Sequence, residues 1–377
     1  MRTQLITEAK RVVVKIGSSL VASPKDGLRL EHIDRLVKEL CEVRQTTREV
    51  VLVSSGAIVA GIEKLGLKAY PGTLTLKQAA AAAGQSQLIH SYEHAFHKLG
   101  QKVAQVLLTH QDLANRKRFL NARHTLTTLL TLDVIPIINE NDTVSVEEIR
   151  FGDNDSLAGQ VAQLVDADLL IILSDVDGLF TQDPRLDPTA TLIPSVQTIT
   201  PDIERGAGTS RSQESTGGMV TKIQAAKLVG SMGIPTLLLN GEIPNLMPHI
   251  FNGHLAGTFF FPRTDPSKNS QSSRKQWIRY TLRPKGHILL DAGAVDALTH
   301  RGKSLLPSGI IAIRGDFLPG DLVKCTNETG KAFAQGLVNF SATDLRKIMG
   351  AQTEKIGEIL GNQEYEEVIH RDNLVLL

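Results

Sequence analysis

Six short, almost wholly apolar runs, alternating with stretches of helical spacing, constrain this chain more than any other feature. They are Arg11–Ile16, Glu49–Val53, Val103–Leu108, Ile135–Ile138, Leu169–Leu173 and Pro235–Leu239. Between them lie helix-periodic segments at Ile33–Val43, Leu76–Leu99, Ala122–Leu132, Leu157–Val165 and Met219–Met232. In the first of these, Ile33, Leu36, Val37, Leu40 and Val43 fall on one helical face. Strands without polar alternation must be covered on both faces, and intervening helices return the chain so that successive strands run the same way. The expected fold is therefore α/β: a mostly parallel sheet sandwiched by helices. The alanine-rich run Lys77–Ala83 is a strong helix former and reads as packing, not low-complexity sequence.

The texture changes after Phe261. Pro262–Lys275 is rich in Pro, Ser and charge and reads as a linker. Beyond it, Ile288–Asp291, Ile310–Ile313, Leu322–Cys325 and Ala332–Leu337 look like short strands separated by Gly-containing turns, with a helix over Ala342–Met349. The expected organisation is a first domain over residues 1–262, a linker over 263–277, and a small β-rich domain over 278–377.

Composition excludes several function classes. With 377 residues and a net charge of +1, no global field points to nucleic acid or to a membrane surface. Two distant cysteines, Cys41 and Cys325, fit a reducing compartment and provide no metal spacing. Met1–Lys10 has no apolar core of a secretory leader, and no apolar run reaches the ~18 residues of a membrane helix. A cytoplasmic protein is expected.

Chemistry concentrates at the ends of the predicted strands. Lys15 lies near the end of the first one, before Gly17-Ser18-Ser19. A buried ammonium requires an anionic partner, although a lysine at a sheet edge would need none. Ser54-Ser55-Gly56-Ala57 opens a helical run to Leu65, and a small-residue turn opening a helix suits an anion or simply starts a helix. Asn139-Glu140-Asn141-Asp142 follows one strand, and Gly152-Asp153-Asn154-Asp155 opens a helix. Acids and amides there are costly to desolvate, and ligands of open α/β sheets bind outside the strand carboxyl ends. Ser174-Asp175-Val176-Asp177-Gly178 suits ribose hydroxyls, a water-held metal, or only its own Asp-Gly turn. Thr216-Gly217-Gly218-Met219-Val220-Thr221-Lys222 lets backbone approach a phosphate and places a lysine one turn into a helix.

Two patterns are discarded. Gly302-Lys303-Ser304 imitates a P-loop end, but Ala297 replaces the first glycine and Pro307 follows where a helix is needed. His90, His94 and His97 share a helix without the acidic residue of a zincin, and read as surface or packing. Two lysines near glycine turns, several Asp/Asn clusters and no serine or cysteine triad suit phosphoryl transfer, which works by positioning and charge neutralisation. A carboxylate acceptor is already ionised at neutral pH and needs no general base.

Taken together, these segments, with Asn121-Ala122-Arg123, resemble the amino acid kinase family, and within it the kinases of free glutamate. Leu305–Ile310, Gly315-Asp316-Phe317 and Gly320-Asp321 look like a PUA domain, so the resemblance spans essentially the whole chain. The resemblance implies ATP-dependent phosphorylation of the γ-carboxylate of L-glutamate to γ-glutamyl 5-phosphate, the first step of proline biosynthesis. It implies that Lys15 and Lys222 neutralise the transferring group and that Asp155 holds them. It places ATP on Lys15, Ser174, Asp175, Thr216, Gly217, Gly218, Met219, Val220, Thr221 and Lys222, with Mg2+ arriving on the nucleotide and no resident metal. It places glutamate on Ser55, Asp142 and Asn154, Asp142 suiting its ammonium and the others its carboxylates, with Gly56, Ala57 and Asn139 lining the same site. Feedback by proline, homo-oligomers and passage of the labile product to glutamate-5-semialdehyde dehydrogenase are further implications. Arg150 stands where some relatives carry lysine, and is left out of the expected site.

Relatives acting on aspartate, N-acetylglutamate or UMP are the nearest alternatives, and the two Asn/Asp clusters with the tail favour glutamate. PUA-like domains often bind RNA, but Ile278–Leu377 carries twelve Lys/Arg against twelve Asp/Glu and lacks a basic footprint. RNA is not an expected partner.

Overall fold

The computed structural model describes residues 1–23, 27–45, 48–145, 154–207, 218–263, 275, 278–279, 282, 284–361 and 365–377. The chain divides into two compact units, Met1–Asp265 and Pro266–Leu377.

In the first unit the strands are β1 (Arg11–Ile16), β2 (Ala22–Ser23), β3 (Gly27–Leu28), β4 (Glu49–Ser54), β5 (Lys102–Leu108), β6 (Val134–Glu140), β7 (Leu169–Ser174), β8 (Ser195–Val196), β9 (Thr236–Asn240) and β10 (Thr258–Phe260). Eight form one sheet in the order β5-β6-β4-β1-β7-β9-β10-β8, while β2 and β3 form a small hairpin. Strands β5, β6, β4, β1, β7 and β9 are all parallel. The expected sheet is present, with the six apolar runs as these six strands. Two short strands at one edge were not anticipated, and β10 runs antiparallel to β9. Both are too short to show a period.

The apolar strand residues are buried on both faces: Val12, Val13, Val50, Val51, Leu170 and Ile171 are essentially inaccessible. Each such side chain stabilises the fold by roughly 1.5–3 kcal/mol relative to exposure. The alanine run lies in helix Leu74–His97 and packs on helix Ala57–Lys64 so closely that the backbones touch. A Cβ on Gly84 would lie 2.0 Å from the Ala57 carbonyl oxygen, and one on Gly61 1.8 Å from that of Ala80. The small residues are therefore required for packing, as the sequence suggested. His90, His94 and His97 point to the exposed side of that helix.

The second unit holds β11 (Gly286–Leu290), β12 (Ile310–Gly315), β13 (Leu322–Thr326), β14 (Ala332–Leu337) and β15 (Leu374–Leu376), in the order β12-β11-β13-β14-β15. Only the β11–β13 pair is parallel. Ile288, Leu290, Val323, Cys325 and Ala334 form its core with Leu345 and Ile348 of helix Ala342–Ile348. The Ser341 hydroxyl caps that helix by accepting from the Asp344 N–H.

Candidate active site

The order of the main sheet concentrates polar residues at one edge. After β1 the chain builds β4, β5 and β6 to one side, then crosses to start β7 on the other, so the topology switches between β1 and β7. In register, Ile16 lies beside both Ser54 and Leu173, Val53 beside Ile138, and Ser174 beside Asn240. The residues that follow these positions all leave the same carboxyl edge, where open α/β sheets bind ligands.

At the centre, two ammonium groups share one carboxylate. Lys15 Nζ of β1 lies 2.6 Å from Asp155 Oδ1, and Lys222 Nζ lies 3.4 Å from Asp155 Oδ2. Thr221 Oγ1 donates to the same Oδ2 at 2.7 Å. Asp155 is 0% exposed, Lys15 5% and Lys222 6%, so the three charges interact through little water. Burial alone would raise the Asp155 carboxyl; Lys15 and Lys222 overcome it and hold the group well below the usual carboxylate range. Burial pushes the Lys222 ammonium down, Asp155 opposes this, and Lys15 lowers it further. The partner required by a lysine inside a buried strand is thus Asp155, distant in sequence.

The local folding is simple. Asp155 lies in the first turn of helix Asn154–Leu164, where an acid complements the helix dipole. Lys222 lies in the first turn of helix Met219–Gly230, which begins at Gly218 without a side-chain cap. Gly159 lets these helices approach, since a Cβ there would already be 3.2 Å from Leu228 Cδ2.

Beside the charged group lies a set of amides and hydroxyls. Asn154 Nδ2 donates to Ser54 O (3.1 Å), Ser55 Oγ (2.9 Å) and Asn139 Oδ1 (3.1 Å). Gly56, with φ of 105°, turns the chain into helix Ala57–Lys64, and a Cβ there would meet Val21 Cγ2 at 2.6 Å. Only glycine fits that left-handed corner. Asp142 is half-buried just beyond β6, and desolvation pushes its carboxyl up to about 6.

On the other side of β1, Ser174 ends β7, is buried, and donates from Oγ to Asp175 Oδ1 at 3.1 Å. Asp175 is exposed and lies close enough to support the charge on Lys222. Asn240 Nδ2 ties Asp177 to the end of β9 at 2.8 Å. Gly17 N donates to Leu173 O at 3.0 Å, closing the turn after β1 against β7.

Of the residues expected from sequence, Lys15, Asp155, Thr221 and Lys222 form one contacting group, and Ser55, Asn139 and Asn154 another; the consecutive pair Asn154-Asp155 joins them. Thr216, Gly217 and Arg150 lie outside the described residues. Gln85 and Tyr92 were missed. Gln85 Oε1 accepts from Asn139 Nδ2 at 2.7 Å, and the Tyr92 hydroxyl, fully buried, lies 3.0 Å from Ser54 Oγ. Both are on the alanine-run helix, and only the glycines' requirement for close packing could have brought that helix to the site.

Two buried ammonium groups on one carboxylate, beside a set of amides at a switch point, match what an α/β phosphoryl-transfer enzyme requires. The model of the Amino acid kinase family matches residues 10–240, and that of the PUA domain matches residues 286–360. The chain is 49% identical to a glutamate 5-kinase of Geobacter sulfurreducens, over 100% of both chains. It is 49% identical to a glutamate 5-kinase of Moorella thermoacetica, over 99% of this chain and 97% of that one. This protein belongs to the amino acid kinase family.

Proposed function

We propose that the protein transfers the terminal phosphoryl group of ATP to the γ-carboxylate of L-glutamate, forming γ-glutamyl 5-phosphate and supplying proline synthesis. Full-length similarity to glutamate 5-kinases supports the substrate, and the Lys15–Asp155–Lys222 group beside the amide pocket is the observation that carries the chemistry. In this reading Lys15 and Lys222 face the transferring phosphoryl group from opposite chain segments and offset the charge that builds on its oxygens. Asp155 fixes both ammonium groups in place. Ser174, Asp175 and the segment Thr216–Lys222 hold the nucleotide, and Mg2+ enters with it as part of that substrate. Ser55, Gly56, Ala57, Asn139, Asp142 and Asn154 hold glutamate. Its γ-carboxylate is ionised, so the acceptor attacks without a general base. The same reading takes proline as a feedback ligand, self-association of the chain, and delivery of the acyl phosphate to the semialdehyde dehydrogenase.

The deciding experiment traps acyl phosphate with hydroxylamine while glutamate, aspartate and N-acetylglutamate are offered separately, with and without proline. Hydroxamate is expected with glutamate alone. Signal from another acid without glutamate would reassign the substrate.

Asp142 gives this reading a pH signature. With a carboxyl titrating near 6, it is mostly ionised at pH 7 and mostly protonated at pH 5. If it pairs with the substrate ammonium, kcat/KM for glutamate falls about tenfold over that span, because only the ionised form binds. The substrate's γ-carboxyl, with an ordinary value of about 4.3, stays mostly charged. Asp142→Asn should raise KM at pH 7 and remove most of this dependence. A wild-type profile flat from pH 7 to 5 would deny Asp142 that role.

A further inference from the structure

We infer that Gln85 is a positioning residue for amine recognition: it orients Asn139, and through it Asn154, so that the site presents an acceptor oxygen to a protonated amine. This rests on the glutamate reading above and deepens it. Gln85 and two backbone groups together set the direction of the Asn139 and Asn154 amides. The Glu140 N–H donates to Asn139 Oδ1 at 2.8 Å, so the Asn139 Nδ2 must point the other way. It donates to Gln85 Oε1 at 2.7 Å. At the far end the Ser54 carbonyl accepts from Asn154 at 3.1 Å, which assigns the Asn154 Nδ2 to that side, with Ser55 Oγ and Asn139 Oδ1 as its other acceptors. The two hydrogens of that amide are shared among three acceptors, leaving none for a carboxylate.

What is left is Asn154 Oδ1, a buried acceptor without a partner among the described residues. A desolvated lone acceptor is unfavourable until a donor reaches it. The α-ammonium of glutamate is such a donor, and Asp142 supplies the countercharge. Asn154 thus serves the amine, where the family resemblance implied a carboxylate. Gln85 can hold this arrangement because its helix is immobilised next door: Gly84 touches the backbone at Ala57 and Gly61. Without an acceptor at position 85, Asn139 Nδ2 loses its partner, and Asn139 can rotate so that Asn154 turns with it.

Gln85→Met keeps length and helix propensity and removes the acceptor. It is expected to raise KM for glutamate about tenfold, the effect of one lost hydrogen bond, with kcat and KM for ATP within about twofold. The preference for glutamate over glutarate, which lacks only the amine, should shrink by a similar factor. Gln85→Glu, which restores an acceptor, should return both to within about threefold of wild type. Should the methionine variant fail to fold by circular dichroism, Gln85→Ala on this alanine-rich helix gives the same readouts. Unchanged KM and selectivity in a folded variant, or a parallel fall in kcat with both KM values affected, overturns the inference. A wild-type enzyme inactive on glutamate would instead remove the parent reading.

Discussion

Lys222→Ala and Lys15→Ala should each lower turnover at least about a thousandfold while leaving a folded protein. The catalytic part of this expectation follows from the reaction class. Phosphoryl transfer gives a protein little covalent chemistry to do, so removing one preorganised positive group removes a large share of what it contributes. The folding part follows from the shared carboxylate. With one lysine gone, Asp155 keeps the other ammonium, and the Thr221 hydroxyl still donates to Oδ2. No buried charge is left alone, and the loss to stability is chiefly the aliphatic stem of the deleted side chain. The measurement is ADP release in a coupled assay, with circular dichroism melts as the control for folding. Lys→Arg should not restore the rate, since a planar fork cannot replace a compact ammonium at a buried position. Near-normal rates in both alanine variants would refute charge neutralisation by this pair.

How much of this was legible beforehand depends on range. Strand β1 was read with its observed ends, and β4, β6 and β7 to within a residue or two, because a buried parallel strand needs an unbroken apolar run. The requirement that Lys15 have an anionic partner also followed from one residue and its surroundings. Which anion was not legible from local pattern: Asp155 lies far along the chain and meets Lys15 only because helix Asn154–Leu164 packs under the switch point. Resemblance to a family supplied that pairing. Gln85 was invisible for a different reason. Its segment reads as a generic alanine helix, and its role arises from the glycine contacts that press that helix against the Gly56 turn. Strands β8 and β10 escaped because two or three residues carry no periodicity, and their pairing is set by the neighbours they complete.

Asp155→Ala should be the most damaging single change to both stability and activity. It removes the carboxylate that both lysines meet, where Lys15 is 5% and Lys222 6% exposed and little water reaches them. Removing one member of a buried ion pair costs about 3–5 kcal/mol, and here the deleted carboxylate served two charges that repel each other. In the first unit, of the size spanned by Met1–Asp265, that corresponds to a fall in Tm of roughly 5–9 °C. The variant also carries a pH signature with a definite sign. Burial and Lys15 already push Lys222 down in the wild type, with Asp155 opposing them. Without that opposition Lys222 sheds its proton more readily in the folded state than in the unfolded chain. The unfolded state then binds more protons, so stability rises with pH, and the deficit should narrow as pH rises toward the ordinary lysine value of about 10.4. Asp155→Asn, which keeps an acceptor for Thr221, should lose activity as fully but melt higher than the alanine variant. Thermal melts of both variants across that pH range test the whole chain of reasoning. A Tm for Asp155→Ala within about 2 °C of wild type and indifferent to pH would mean that the two lysines find compensation elsewhere, and that this carboxylate does not hold the site together.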